Sequence, residues 1–466
     1  MASLMDPLDA AMITGESSNP LHVAAVLIMT PPPDAGAGYV DDLYHETVSP
    51  TASLDPRLCR YPHQELGLWV WRHVEDVDLA EHCERITLPA GEAPDALWQK
   101  ISELHAAPLD RSRPMWRSYL IDGLDDGRFA FYVKVHHTLV DGVAGLQMIA
   151  EGLSDDPRRR SMPAFFASHH DRTAAVAHHP EPHGLNPFRT LRELVNTAAS
   201  GAGTLERLVA GEVQTLVEGL TSDTAVPPLA APYTRFNGRL GQARAVAAGS
   251  WPRDRIRAIQ DKAGVTGNDV VVAVVSGVLR TWLLDHDELP GTTLVGICPI
   301  TARAKDADSD SERGNVFGAW LCPLGTHLAD PAARLDLIHR SMTRGKQRVA
   351  ERGAGLSMLL LAPSIGPTVL SPKLPSFFPR FRTGYNLPIS NVPGPRTDMY
   401  WNGAHIDEIY PVSAVFDGQA LNVTTCSYAD RICFGYVAGS DVMPEIGTVV
   451  PLTERTITEL EAAVGL

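Results

Sequence analysis

The sequence predicts an α+β protein of two domains, each a mixed sheet flanked by helices, joined by a long linker. Three observations predict it. At 466 residues the chain is long enough for two domains with separate cores. Strand and helix patterns are interleaved in both halves, which fits mixed sheets better than a doubly wound parallel sheet. Between the halves runs "SDDPRRRSMPAFFASHHDRTAAVAHHPEPHGLNP", rich in Pro, His and Ala and without a period. The boundaries follow: a first domain over 1–152, a linker with a crossover helix over 153–240, and a second domain over 241–466.

"PLHVAAVLIM", 20–29, is a buried strand closed by the loop "TPPPDAGAG". "DALWQKISELHAAPLD", 95–110, carries Leu97, Ile101 and Leu104 at helical spacing. "WRSYLIDGL" and "RFAFYVKV", joined by "DDG", predict a hairpin, and "GVAGLQMIAEGL" a helix whose N-terminus lies near Asp141. "FRTLRELVNTAASGAGTLERLVAGEVQTLVEGL", 188–220, has broken amphipathic character and reads as a surface crossover helix.

In the second half, "RAVAAGSWPRDRIRAIQDKAG" gives a strand and then a helix, and "TGNDVVVAVVSGVLRTWLLD" a second, apolar helix. "TTLVGICPI" is a buried strand, "ADPAARLDLIHRSMTRGKQRVA" a helix, and "ALNVTTCSYADRICFGYVAG" a hairpin around "YADR". "TERTITELEAAVGL" closes the chain as a helix with Thr453 as N-cap.

Composition excludes several classes. A formal net charge of −15 argues against nucleic acid as a partner, because phosphate neutralisation needs a basic face. Cys59, Cys83, Cys298, Cys322, Cys426 and Cys433 form no CxxC pair, so neither a zinc site nor a disulfide framework is implied and a reducing cytoplasm is the expected location. The first twenty residues show no basic region followed by an apolar one, so no signal peptide is expected. No run of 18 apolar residues occurs, so no spanning helix is expected. Dinucleotide and P-loop glycine spacings are absent from the sequence.

The chemistry concentrates in "FYVKVHHTLVDGVAGL", 131–146. His136 and His137 are consecutive, so on a strand they point to opposite faces and do not chelate one metal together. One is expected to be buried while the other faces a cleft. A neutral imidazole there can take a proton from a hydroxyl and return it later. Asp141 followed by Gly142 suits a tight strand-to-helix bend, the carboxylate pinning it and the glycine permitting it. The dipeptide alone is ordinary, as His169–His170 and His178–His179 in the linker show.

"HHTLVDG", 136–142, resembles the active-site motif of the coenzyme A-dependent acyltransferase superfamily, which includes chloramphenicol acetyltransferase and peptide-synthetase condensation domains. Four further stretches resemble the bacterial wax ester synthase/diacylglycerol acyltransferase family within it. They are "SLMDPLDAAMITGESSNPLHVAAVLIM", the opening; "PLDRSRPMWRSYLIDGL", 108–124, with Met115 where the family has Leu; "GVTGNDVVVAVVSGVLRTWL", with Asn268–Asp269; and the C-terminal run from "YNLPISNVPGPRTDMYW" to "CSYADRICFGYVAG". "GNVFGAWLCPL", 314–324, keeps the family's Gly-Asn but continues Val-Phe where many members are more polar.

The resemblance implies two chloramphenicol acetyltransferase-like domains with the active site at their interface. It implies direct acyl transfer from acyl-coenzyme A, a co-substrate rather than a cofactor, to diacylglycerol, with wax esters from long-chain alcohols as a second product. By position His137 is the general base, His136 packs or orients, and Asp141 is structural with Arg303 as its partner. Asn268 and Asp269 read as an N-cap and first-turn acid that help maintain the site. Ser390 and Asn391, in "PISNVPGP", read either as oxyanion donors or as a Pro-rich turn. The apolar, Pro-interrupted run 354–381 reads as core, as acyl-channel wall or as a lipid-contacting surface. Peripheral contact with a membrane or lipid droplet accompanies that expectation. Acylation of another lipid or polyketide alcohol, or a catalytically weak lipid-binding role, are the alternatives.

Overall fold

The computed structural model describes residues 2–16, 19–49, 54–89, 95–124, 126–140, 142–167, 222–227, 229–303, 315–352, 357, 360–361, 364 and 383–466. In the first half the elements run β1 (Ala2–Leu4), α1 (Pro7–Gly15), β2 (His22–Thr30), α2 (Tyr39–Val48), β3 (Arg60–Glu65), β4 (Leu68–His73), α3 (Leu79–His82), β5 (Cys83–Thr87), α4 (Ala96–Ala106), β6 (Trp116–Asp122), β7 (Phe129–His136) and α5 (Gly142–Glu151). The second half has β8 (Arg244–Pro252), α6 (Arg253–Ala263), α7 (Gly267–Asp285), β9 (Val295–Arg303), β10 (Asn315–Pro323), α8 (Pro331–Arg352) and β11 (Leu387–Pro393). It ends with β12 (Tyr400–Trp401), β13 (Ala404–Val412), β14 (Leu421–Tyr428), β15 (Arg431–Gly439) and α9 (Val449–Val464).

Both large sheets are mixed. The first has the order β12-β13-β2-β7-β6-β5, with β5 parallel to β6 and the other pairs antiparallel. The second has the order β10-β9-β11-β14-β15-β8, with β11 parallel to both β9 and β14. A small sheet, β1-β4-β3, stands apart. β2 sits between β13 and β7 and buries every residue except Ala24 and Thr30, which is why its sequence is a continuous apolar run rather than an alternation.

The halves are not separate along the chain. β12 and β13 leave the second half to complete the first sheet, so a boundary at 241 does not divide the two sheets. β13 then lies so close to β15 that a Cβ on Gly435 would stand 1.9 Å from the carbonyl oxygen of Pro411. A shared core of Val26, Ile101 and Tyr132 from the first half and Val246, Tyr410 and Val437 from the second seals the junction. A buried strand destined for either sheet carries the same apolar pattern, so sequence alone does not reveal the exchange.

The expected linker, 153–240, is packed at both ends. Met162, Phe165 and Phe166 join the first core, where Phe165 packs against Trp401 with ring centroids 4.5 Å apart. Phe236 is fully buried in the second core. Residues 168–221, with both linker histidine pairs and the expected crossover helix, lie outside the described residues, as does most of 354–381.

α7 is long and apolar enough to cross a membrane by composition, yet most of it is buried inside the protein, its valines forming the centre of the second core. α9 begins at Val449 with Thr448 as N-cap, not at Thr453. Pro451 is tolerated in the first helical turn, so it does not delay the start. Thr453 instead lies inside the helix, its hydroxyl donating to the Val449 carbonyl.

Candidate active site

The geometry of the histidine pair follows from where β7 stops. His136 is the last residue of β7, opposite His22 of β2, while His137 opens the turn that follows. His136 is 2% exposed, and His137 is partly exposed. The His136 amide donates to the Met115 carbonyl at 2.9 Å, and the His137 amide to the Leu21 carbonyl at 2.9 Å. The pair is therefore tied by main chain to the loop before β6 and to the segment between α1 and β2.

The His136 ring has both nitrogens occupied. The Thr138 amide donates to Nδ1 at 3.2 Å, so Nδ1 is unprotonated and the proton sits on Nε2. Nε2 then donates to Glu16 Oε2 at 3.0 Å. Arg111 binds the same Oε2 at 2.6 Å, and the Leu21 amide donates to Oε1 at 2.7 Å. Burial pushes the Glu16 carboxyl up, but its hydrogen bond to His136, the Leu21 amide and the Arg111 charge outweigh that and leave it below its ordinary value.

Behind His136, on the same face of β7, lies a buried polar layer. Lys134 is 1% exposed and donates from Nζ to the carbonyls of Leu104 and Ala107, which end α4. Burial, with the nearby Arg117 charge, lowers its ammonium to about 7. A neutral amine still has two N–H bonds to give those two carbonyls. His105 accepts or donates at Nδ1 to the Tyr132 hydroxyl at 2.9 Å, and burial, with Lys134 and Arg244 beside it, lowers its pKa to about 3. His22 is likewise held neutral, chiefly by burial.

The opposite face of β7 is apolar. Val133 and Val135, with Val23 and Ala25 of β2, form the floor of a pocket roofed by Gly142, Gly145, Leu146 and Ile149 of α5. Leu58, Trp116, Phe165 and Phe166 wall it, and its mouth is open to solvent. Val135 and Val140, which line the pocket, bracket the partly exposed His137 in sequence. Gly142 does not serve as a turn residue: its φ is outside the left-handed region, and an added Cβ would meet nothing within 4 Å. It opens α5 and lines the pocket instead. Asp141 lies outside the described residues, as does the side chain of Arg303, whose backbone ends β9.

The other expected residues sit in the second half. Thr266, not Asn268, caps α7; Asp269 completes a reciprocal capping box, accepting from the Thr266 amide at 2.9 Å. Asp269 also accepts from His339 Nδ1 at 2.8 Å while 1% exposed, which ties α7 to α8. Ser390 and Asn391 lie within strand β11 rather than in a turn, and Asn391 Oδ1 accepts from the Thr425 hydroxyl at 3.1 Å, which turns its acceptor rather than its N–H₂ toward that neighbour. The site does meet the second half directly. Asn19, two residues before Leu21, donates to Asp417 at 3.2 Å and accepts from Arg244 at 2.8 Å.

Sequence reasoning does not single out Glu16, Arg111, Thr138 or Lys134. Arg111 lies inside "PLDRSRPMW" and Glu16 inside "MITGESSNP", and it takes the pairing of β7 with both β6 and β2 to bring them to the motif.

The wax ester synthase/diacylglycerol acyltransferase catalytic-domain model matches residues 5–271, and the family's C-terminal-domain model matches 313–461. The chain belongs to this family. A Mycobacterium tuberculosis protein named for diacylglycerol O-acyltransferase activity is 38% identical over 99% of this chain and all of its own length. A similarly named Mycobacterium bovis protein is 36% identical over 99% of this chain and 91% of its own. Among solved structures, the wax ester synthase/diacylglycerol acyltransferase from Marinobacter aquaeolei VT8 superposes with a TM-score of 0.75 at 30% identity, each chain fully covered. The first condensation domain of the calcium-dependent antibiotic synthetase shares the fold, with a TM-score of 0.54 at 16% identity. The family's catalytic-domain model runs through the expected linker to residue 271.

Proposed function

We propose that the protein moves a long-chain acyl group from acyl-coenzyme A to the hydroxyl of diacylglycerol, giving triacylglycerol, and that it also esterifies long-chain alcohols to wax esters. The observation that carries this reading is the division of labour at the end of β7: His136 is buried with both nitrogens engaged, while His137 is partly exposed and lies in sequence between Val135 and Val140, which line an apolar pocket. His137 takes the proton from the acceptor hydroxyl as its oxygen attacks the thioester carbonyl carbon. The tetrahedral intermediate collapses with cleavage of the C–S bond, and the imidazolium returns the proton to the departing thiolate. Base catalysis of this kind contributes about 10²- to 10⁴-fold. On this reading the Ser390 hydroxyl or the Asn391 amide, both on β11, donates to the oxyanion, and the pocket between β7 and α5 takes an acyl chain. The names of the mycobacterial and Marinobacter relatives support the choice of acceptors.

Contact with a lipid surface is part of this reading. Leu4, Leu66 and Leu68 stand exposed together on the small β1-β4-β3 sheet. Leu66 occupies the tip of the β3–β4 hairpin with φ 51°, a conformation that favours Asn or Gly over leucine. An apolar tip of this kind suits peripheral insertion at a membrane or droplet from the cytoplasm, where six buried, unbridged cysteines stay reduced.

A radiolabelled acyl-coenzyme A assay with diacylglycerol, long-chain alcohol and no acceptor tests the reaction. Labelled triacylglycerol is expected; label passing only to water, or to neither acceptor, contradicts it. Replacing Leu66 and Leu68 by Ser is expected to lower the fraction floating with lipid vesicles, and unchanged flotation contradicts the lipid-surface reading.

A further inference from the structure

We infer that Glu16 is the positioning residue for both histidines of the motif, with Arg111 as the counter-charge that holds it in place. The inference rests on His137 being the base. Three donors converge on one carboxylate: His136 Nε2–H at 3.0 Å, the Leu21 amide at 2.7 Å and Arg111 Nη2 at 2.6 Å. The first fixes the His136 ring. The second fixes Leu21, whose carbonyl in turn accepts the His137 amide at 2.9 Å. One side chain therefore sets the ring of one histidine and the backbone of the next.

The placement needs explaining, because Glu16 follows directly on α1, where a helix C-terminus disfavours a negative charge. Arg111 resolves the conflict. It donates to the carbonyls of Ile13 and Glu16, both at 3.0 Å, as well as to the Glu16 carboxylate. The guanidinium thus neutralises the helix end and the carboxylate at once. The carboxylate is only 11% exposed, so its bonds are shielded from competing water.

A glutamine at this position has one acceptor oxygen for three donors, so its amide N–H₂ must face one of them in a buried site. Small displacements of a reacting group cost rate far more than they cost binding, up to about 10²-fold per ångström. The experiment measures kcat and KM for Glu16→Gln, His137→Ala and the double variant. Glu16→Gln is expected to lower kcat about 10- to 100-fold with both KM values within about threefold of the parent. In the His137→Ala background it is expected to add less than about twofold, because a positioning residue has nothing left to position. Should Glu16→Gln not fold, Arg111→Met, at a partly exposed side chain, is expected to lower kcat in the same manner at unchanged KM. A Glu16→Gln kcat within twofold of the parent, a loss confined to KM, or a loss that multiplies fully with that of His137→Ala overturns the inference. Parental kcat in His137→Ala overturns the base assignment itself, a result separable from the first.

Discussion

His136 and Glu16, 120 positions apart in the chain, meet through a 3.0 Å hydrogen bond between Nε2 and Oε2. That contact, with the Thr138 amide on the other ring nitrogen, leaves His136 no lone pair for chemistry and gives it a structural task. His136→Ala removes the ring, orphans the Glu16 lone pair in a shielded site and opens a cavity. It is expected to destabilise the fold by about 2–4 kcal/mol. A urea melt measures this, and a midpoint equal to that of the parent contradicts the assignment of His136 to packing and orientation.

The apolar pocket makes a prediction about chain length. A Cβ on Gly145 would touch only Val140 Cγ1, at 3.7 Å, so a larger side chain there enters the pocket rather than the core. Gly145→Leu is expected to fold normally and to shift preference toward shorter acyl groups. Each methylene kept out of the pocket forgoes about 0.8 kcal/mol, so the long-to-short ratio of kcat/KM should fall at least about tenfold. Competition between short- and long-chain acyl-coenzyme A reads it out; an unchanged ratio shows that the acyl chain lies elsewhere.

Lys134 gives a prediction in pH. Its folded value of about 7 lies below the ordinary 10.5, so between those values the unfolded chain holds a proton that the folded chain lacks. Stability contributed by this residue therefore rises with pH across that window and is flat below it. Relative to Lys134→Met, which orphans the Leu104 and Ala107 carbonyls at every pH, the parent should gain stability from neutral pH to about pH 10. Paired denaturant melts across that range check the sign; a difference that shrinks with rising pH contradicts a neutral buried amine.

Much of the site is legible in the chain because it depends on local periodicity. The alternation of "FYVKVHH" is enough to separate His136 from His137, and β7 realises that separation by ending at His136. The mixed sheets are legible for the same reason. Glu16 is not, because its meaning comes from the pairing of β2 with β7, and register between distant strands leaves no mark on either one. The exchange of β13 into the first sheet is hidden because buried strands look alike from sequence. Phe165, Phe166 and Phe236 read as linker residues because the Pro-rich stretches around them mask single aromatic anchors that have no period. The start of α9 is obscured for a different reason, since Thr453 before an apolar-periodic run has the look of an N-cap although the helix already begins at Val449, with Pro451 in a first turn that accepts it.

The central claim is that His137, and not the histidine beside it, moves the proton. The most direct test is the rate of acyl transfer from a long-chain acyl-coenzyme A to diacylglycerol by purified His137→Ala, compared with the parent at equal folded concentration. Loss of kcat by about 10²- to 10⁴-fold, with the melting temperature little changed, is the predicted result. A kcat within about twofold of the parent would contradict it.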